Sequence, residues 1–175
     1  MTKPVNPRGT PIKEAEAVGI EFPVVGKARY NYTTGEALGV FLAGLKQGRI
    51  LGTVCKRCGR VFVPPRMYCS YCFRPVDGWV EARDEGVVVT AVASYIEATR
   101  ARAEKARVVG VIKLEVPGYK FDDHFFPGIM HYICVDDEAV KSMGIFGMRV
   151  RARWRPVEQR VGSITDIECF EPAGP

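Results

Sequence analysis

Residues Cys55–Cys72 read CKRCGRVFVPPRMYCSYC, two C-x-x-C pairs separated by ten residues. Within each pair, two sulfurs reach one ion from a single tight turn. Two such turns complete a tetrahedron of thiolates, the ligand set that suits zinc. Cys55, Cys58, Cys69 and Cys72 are therefore the predicted ligands of one zinc per chain. Four protein ligands leave no open position for a substrate water, so the metal is read as structural. Gly59 follows the first pair and can take the positive φ that such a turn needs. Phe73 follows the second pair, so that turn is expected to close differently. Between the pairs, RVFV alternates and then meets Pro64 and Pro65, the pattern of a short ribbon strand ending in a stiff turn.

Free thiols or two disulfides are the alternatives to metal, and iron in a rubredoxin-like site is the competitor to zinc. Rubredoxins usually show Cys-Pro-x-Cys-Gly at the second turn, where this chain has Cys69-Ser-Tyr-Cys72-Phe. Cys134 (HYICVD) and Cys169 (DIECFEP) sit in strand-like runs and read as small buried apolar residues.

Around this cluster the chain has 175 residues, 47% hydrophobic and 26% charged, enough for a core that needs no disulfides. No apolar run has the length of a membrane span. The start, MTKPVNPRGTPIKEAEAVG, is basic but has no apolar h-region, so it is not read as a secretory signal and the expected location is the cytoplasm. The net charge of +5 becomes +3 when four thiolates and one Zn²⁺ are counted, a mild balance that permits an anionic partner without demanding nucleic acid.

Residues 1–33, with Pro4, Pro7, Pro11 and Pro23, read as an extended arm carrying at most a short helix around IKEAEAVG. A helix of about four turns is expected next, with Thr33 and Glu36 as a capping box and Gly48 as its stop. Ala37, Leu38, Phe41, Leu42 and Leu45 form its apolar stripe. Gly35, Gly39 and Gly44 weaken it, so it needs a surface to pack on, either the chain's own or a partner's.

Helix plus ribbon are assigned to residues 34–78 and an OB-fold domain to 79–175. The second assignment rests on a long first strand through GVVVTAVASY, two more through RVVGVIKLEV and PGIMHYICV, a short helix in DEAVKSMGI, and two final strands. In MRVRARWR, Val150, Ala152 and Trp154 share one face and Arg149, Arg151, Arg153 and Arg155 the other. The predicted class is mainly β: N-terminal helical arm, rubredoxin-like zinc ribbon, C-terminal OB-fold barrel.

These stretches, EALGVFLAGLKQGRI, the double cysteine pair flanking Pro64-Pro65-Arg66, Trp79 opening the barrel, and GMRVRARWRP, resemble the zinc-ribbon plus OB-fold proteins found beside thiolases. That family includes the small subunit of benzoylsuccinyl-CoA thiolase, and the resemblance covers roughly residues 34 to 172. It implies a non-catalytic accessory subunit that bridges a thiolase-fold partner in a hetero-oligomer and helps enclose coenzyme A or an acyl-CoA. Arg66 on the ribbon and Arg100, Arg102, Lys105 and Arg107 on a basic barrel loop are the candidates for the cofactor's phosphates. The alternative is a single-stranded nucleic-acid binder using the arginine face. It is disfavoured because Trp154 falls on the opposite face and no other aromatic offers a stacking platform there. Asp122, Asp123 and His124 form a polar cluster, but no nucleophile accompanies it and no catalytic residue is assigned.

Overall fold

The computed structural model describes residues 33–96, 101–121 and 124–174. The arm over residues 1–32, together with Arg100, Asp122 and Asp123, lies outside them.

Helix α1 spans Gly35–Lys46. Thr34, not Thr33, is its N-cap, and the Thr34 side chain makes no capping bond, so the expected capping box does not form. Gly48 stops the helix at φ 76°. Of the predicted stripe, Phe41 and Leu45 are buried and Leu42 packs beside them, while Leu38 is exposed. The surface they pack on is the chain's own. Gly44 lies so close to Leu51 that an added Cβ would fall 2.9 Å from its Cδ1. Here the glycine that weakens the helix also lets it approach the strand that follows.

Strand β1 (Ile50–Val54) is central in a three-stranded antiparallel sheet, between β2 (Val61–Phe62) and β5 (Gly78–Ala82). A two-stranded ribbon, β3 (Tyr68–Cys69) and β4 (Arg74–Pro75), carries the second cysteine turn. Trp79 sits on β5 opposite Thr53, so the strand it opens pairs with the ribbon's central strand.

The remaining strands form one five-stranded antiparallel sheet in the order β10-β9-β6-β7-β8. They are β6 (Glu85–Ile96), β7 (Arg102–Leu114), β8 (Gly128–Tyr132), β9 (Arg149–Trp154) and β10 (Ile167–Pro172). The short helix α2 (Glu138–Lys141) falls between β8 and β9. This is the OB-fold strand order, with the first long strand paired to both the second and the fourth. The barrel is not closed by continuous pairing. Its two edges meet at one parallel bridge, Ile133 with Phe170. β9 alternates as expected, with Val150 and Ala152 buried and Arg149, Arg151 and Arg153 exposed.

One apolar core runs through Phe41 and Leu45 of the helix, Ile50 and Val54 of β1, and Val88, Ile112, Ile129, Val150 and Phe170 of the larger sheet. The cysteine-bearing end has a separate small cluster of Cys55, Phe62 and Cys69, flanked by Cys58, Cys72, Val76 and Phe125. Four of its seven members are the cysteines themselves. A core that small does not hold a ribbon together without a further crosslink.

Candidate metal centre

Two backbone turns present the sulfurs. Cys55 follows β1, and the N–H of Gly59 donates to the Cys55 carbonyl at 2.8 Å, with Gly59 at φ 71°. Cys69 ends β3, and the N–H of Phe73 donates to the Cys69 carbonyl at 2.9 Å, with Phe73 at φ 51°. The second turn therefore closes as the first does, against the sequence expectation. The geometry is set by where the two sulfurs must point, and a phenylalanine accepts the left-handed conformation that glycine takes freely.

All four Sγ atoms lie within 4.8 Å of one another, and those of Cys58 and Cys69 are 3.6 Å apart. Tetrahedral Zn–S bonds of about 2.3 Å place sulfurs roughly 3.8 Å apart, so the donor set fits a single ion. Cys55 and Cys69 are buried and Cys58 and Cys72 half-buried. The Cys72 N–H donates to Cys69 Sγ at 3.3 Å. The Asp77 carboxylate ties the turns together, accepting from Lys56 N–H at 2.8 Å and from the Arg74 guanidinium at 3.0 Å.

The thiols are electrostatically unequal. Burial disfavours the Cys58 thiolate, but the backbone N–H and guanidinium of Arg60, with Cys72 and Cys69, outweigh it and bring the thiol down to about 6. Burial and the neighbouring thiols push Cys72 up to about 12. Arg60 also stacks over the Tyr71 ring at 3.7 Å. Outside the cluster three aromatics stand in solvent: Tyr68 at 64% exposure, Tyr71 at 65% and Phe73 at 88%. The cysteine spacing alone did not point to them.

The proposed phosphate ligands do not form one group. Thr53, fully buried, holds the Arg66 backbone from both sides: its hydroxyl donates to the Arg66 carbonyl at 2.9 Å and accepts from the Arg66 N–H at 3.1 Å. Arg66 lines a cavity of about 350 Å³ with Leu38, Pro64, Pro65, Phe125 and Phe126. Arg102, Lys105 and Arg107 line a different one. They fall within β7, where the pairing with β6 shifts register between Arg107, opposite Ser94, and Arg102, opposite Ile96. His124 is exposed.

The arginine face of β9 is matched by carboxylates. Arg149 meets Glu115 at 2.8 Å, Arg151 pairs with Glu85, and Arg153 meets Glu168 at 3.0 Å and Glu171 at 3.4 Å.

Cys134 and Cys169 are not separate apolar fillers; they form a disulfide. Their Cα atoms are 5.7 Å apart because Ile133 and Phe170 pair and the Cys134 N–H donates to the Phe170 carbonyl. The Arg153 Nη2 lies 3.3 Å from Cys134 Sγ. The two cysteines are 35 residues apart in sequence, so only the meeting of the sheet edges reveals the pair.

Comparison with protein families places residues 42–77 in the ChsH2 rubredoxin-like zinc ribbon domain and residues 79–155 in the ChsH2 C-terminal OB-fold domain. The chain belongs to the ChsH2/DUF35 family. Among solved structures, a DUF35 protein of unknown function from Sulfolobus solfataricus shares 24% identity at a TM-score of 0.54, over 82% of this chain and 90% of that one. The Ltp2–ChsH2(DUF35) aldolase shares 17% identity at a TM-score of 0.54, over 81% of this chain and 98% of that one. Both likenesses are of fold. No curated protein matches. Among the described residues, no helix is long and apolar enough to cross a membrane.

Proposed function

We propose that this chain is a non-catalytic zinc-binding subunit of a thiolase-like acyl-CoA enzyme, bridging a thiolase-fold partner and helping to form its coenzyme A site. The domain division 1–33, 34–78 and 79–175 is part of this reading. The observation that carries it is the exposed aromatic group Tyr68, Tyr71 and Phe73, mounted on turns that the four-cysteine centre makes rigid. A four-thiolate ion has no free position for chemistry, so the centre's contribution is shape. Large aromatics held rigidly in solvent are the residues that anchor protein interfaces. A relative in fold carries two protein names in the Ltp2–ChsH2 aldolase, which supports a life in complex.

For coenzyme A, Arg66 offers a cation for a phosphate in a cavity whose other walls include Pro64, Pro65, Phe125 and Phe126, apolar surface suited to pantetheine. Arg102, Lys105 and Arg107 offer a second cationic group for the 3′-phosphate region. The single-stranded nucleic-acid alternative is weakened by the carboxylates on Arg149, Arg151 and Arg153. Affinity purification from the native source tests the reading. The expected result is a stoichiometric thiolase-fold partner with an interface of about 1,200 Å² or more in total. A chain that emerges alone, or with nucleic acid that resists moderate salt, overturns it.

A further inference from the structure

The edges of the larger sheet are joined by little backbone. Among the described residues, one bridge, Ile133 with Phe170, links the segment after β8 to β10, and the Cys134 N–H donates to the Phe170 carbonyl at 2.8 Å. The Cys134–Cys169 disulfide spans the same point, with α2 and β9 in the stretch of chain between its ends. A crosslink set where pairing is this thin governs how firmly the two edges hold.

The two cysteine groups of this chain call for opposite redox states. The four-cysteine centre takes zinc only as thiolates, whereas the seam pair is oxidised. In a medium that keeps thiols reduced, a disulfide is transient, catalytic or redox-sensing. The fold does not need this one as a staple, because one apolar core already runs through the helix and both larger sheets.

The two sulfurs differ in access. Cys134 is exposed, while Cys169 is only 1% exposed, so an attacking thiolate reaches Cys134. Arg153 stands opposite Cys169 on β9 and divides its guanidinium three ways. Its Nε donates to Glu168 at 3.0 Å, its Nη1 to Glu171 at 3.4 Å, and its Nη2 lies 3.3 Å from Cys134 Sγ. The two carboxylates balance its charge. What it offers the sulfur is a short-range N–H donor, held in place by both of them.

We propose that Cys134–Cys169 is a reversible redox site that exchanges with an external dithiol through Cys134, fastening or freeing the seam. One thiolate of the dithiol attacks Cys134 Sγ. The S–S bond breaks, its electron pair goes to Cys169, and that sulfur takes a proton from solvent. The second thiolate of the dithiol then attacks the sulfur already bound to Cys134. A disulfide forms within the reductant, and Cys134 leaves as a thiolate that accepts from the Arg153 Nη2–H. The dithiol loses two electrons and the seam pair gains them. The reduced seam keeps the Ile133–Phe170 bridge and the packing of those two buried side chains. The site is built by this chain alone and does not depend on the proposed partner.

The test uses the whole zinc-loaded chain in glutathione redox buffers, read by alkylation and peptide mass mapping. Disulfide and dithiol forms should interconvert without denaturant and without loss of zinc, and the glutathione adduct at the seam should sit on Cys134 alone. In the dithiol form the amides of β10 and of residues 128–134 should exchange with deuterium about tenfold faster or more. Cys169→Ser isolates the exposed sulfur. With Arg153→Met added, dithiothreitol should free Cys134 from its glutathione adduct about tenfold more slowly, the loss of one hydrogen bond to a charged group, and Arg153→Lys should restore part of the rate. The proposal is overturned by any of four outcomes: a disulfide that yields only to denaturant; a seam adduct on Cys169; equal exchange at the seam in both forms; or release as fast with Arg153→Met as without it.

Discussion

Phe73 repeats the backbone of Gly59: the two stand at φ 51° and 71°, each donating its N–H to the carbonyl of the cysteine four residues earlier. The two halves of the metal centre are thus built on one turn, and only one half has the residue that adopts it without strain. A bulky side chain in this region is disfavoured by about 1–2 kcal/mol. Phe73 does not recover that cost by packing, since it is 88% exposed.

Phe73→Gly is therefore expected to stabilise the metal-loaded chain by up to about 1 kcal/mol, the relief of strain less the added freedom of glycine in the unfolded state. Phe73→Ala keeps the strain and should gain little. Denaturant midpoints at unchanged slope decide this. If the side chain is retained for a partner, the same glycine variant should weaken retention of the thiolase-fold subunit while raising stability. A variant that loses stability and keeps the partner contradicts both parts.

One zinc per chain is expected from metal analysis of protein purified without added metal, and iron in its place would show as thiolate charge-transfer colour. Cys58→Ser should lose the ion. The consequence for folding is narrower than the cysteine spacing suggests. Ile50 and Val54 of β1 belong to the large core, whereas the cysteine turns rest on the small cluster. Proteolysis of the variant should cut within residues 55–77 and spare β1 and the larger sheet. Cleavage throughout the chain would show that the ion supports the whole fold.

Zinc binding displaces thiol protons, so affinity rises with pH. Cys58, held near 6, is already ionised at neutral pH and gives up no proton there, while Cys72, near 12, must release one. Below pH 6 Cys58 is protonated as well, and apparent affinity should lose about a further tenfold per pH unit. Arg60→Ala removes the guanidinium that lowers Cys58 and should move this break to higher pH. A chelator competition series across pH measures the slope; a break that stays in place would remove Arg60 from the account.

The cysteine cluster, the ribbon and the strands of the OB-fold domain were legible because each leaves a local mark: a fixed spacing, an alternation, a glycine or proline at a turn. What stayed hidden depends on contacts distant in sequence. Cys134 and Cys169 read as fillers until two sheet edges meet. The segment from Arg102 to Arg107 reads as a loop, and its place in β7 shows only once β6 is seen to pair with Arg107 and, after a register shift, with Arg102. Thr33 and Glu36 have the spacing of a cap, but the helix begins one residue later.

Asp166 escaped the sequence reading altogether, although it is fully buried. It accepts from the N–H groups of Val161 at 3.0 Å, Gly162 at 2.7 Å and Ser163 at 3.1 Å. Burial pushes its carboxyl up, but these donors and Arg155 outweigh burial and hold it below the ordinary range. A depressed folded value adds stability that is present above the unfolded value, near 3.9, and lost as pH falls through the folded one. Asp166→Ala leaves three N–H groups without their acceptor and should cost on the order of 1–3 kcal/mol at neutral pH. The cost should shrink below pH 3.9, where the parent loses its own advantage. Thermal unfolding of both proteins across pH measures this, and a cost independent of pH would assign the loss to packing alone.

The two cationic groups separate two forms of the coenzyme A reading. Arg66 is fixed by the Thr53 hydroxyl on its own backbone and stands at an apolar cavity. Arg102, Lys105 and Arg107 stand on a strand in an open cavity without apolar depth. If the cofactor enters at the ribbon, Arg66→Ala should weaken its binding to the complex by about tenfold, the loss of one charge-assisted phosphate contact. Ala at Arg102, Lys105 and Arg107 together should then weaken it less, with an effect that fades as salt screens exposed charge. The reverse ranking would place the adenine end on β7. Isothermal titration of the complex at two salt concentrations distinguishes them, with partner retention as the control for assembly. If neither change moves coenzyme A binding while the complex stays intact, neither cationic group of this chain is a cofactor ligand.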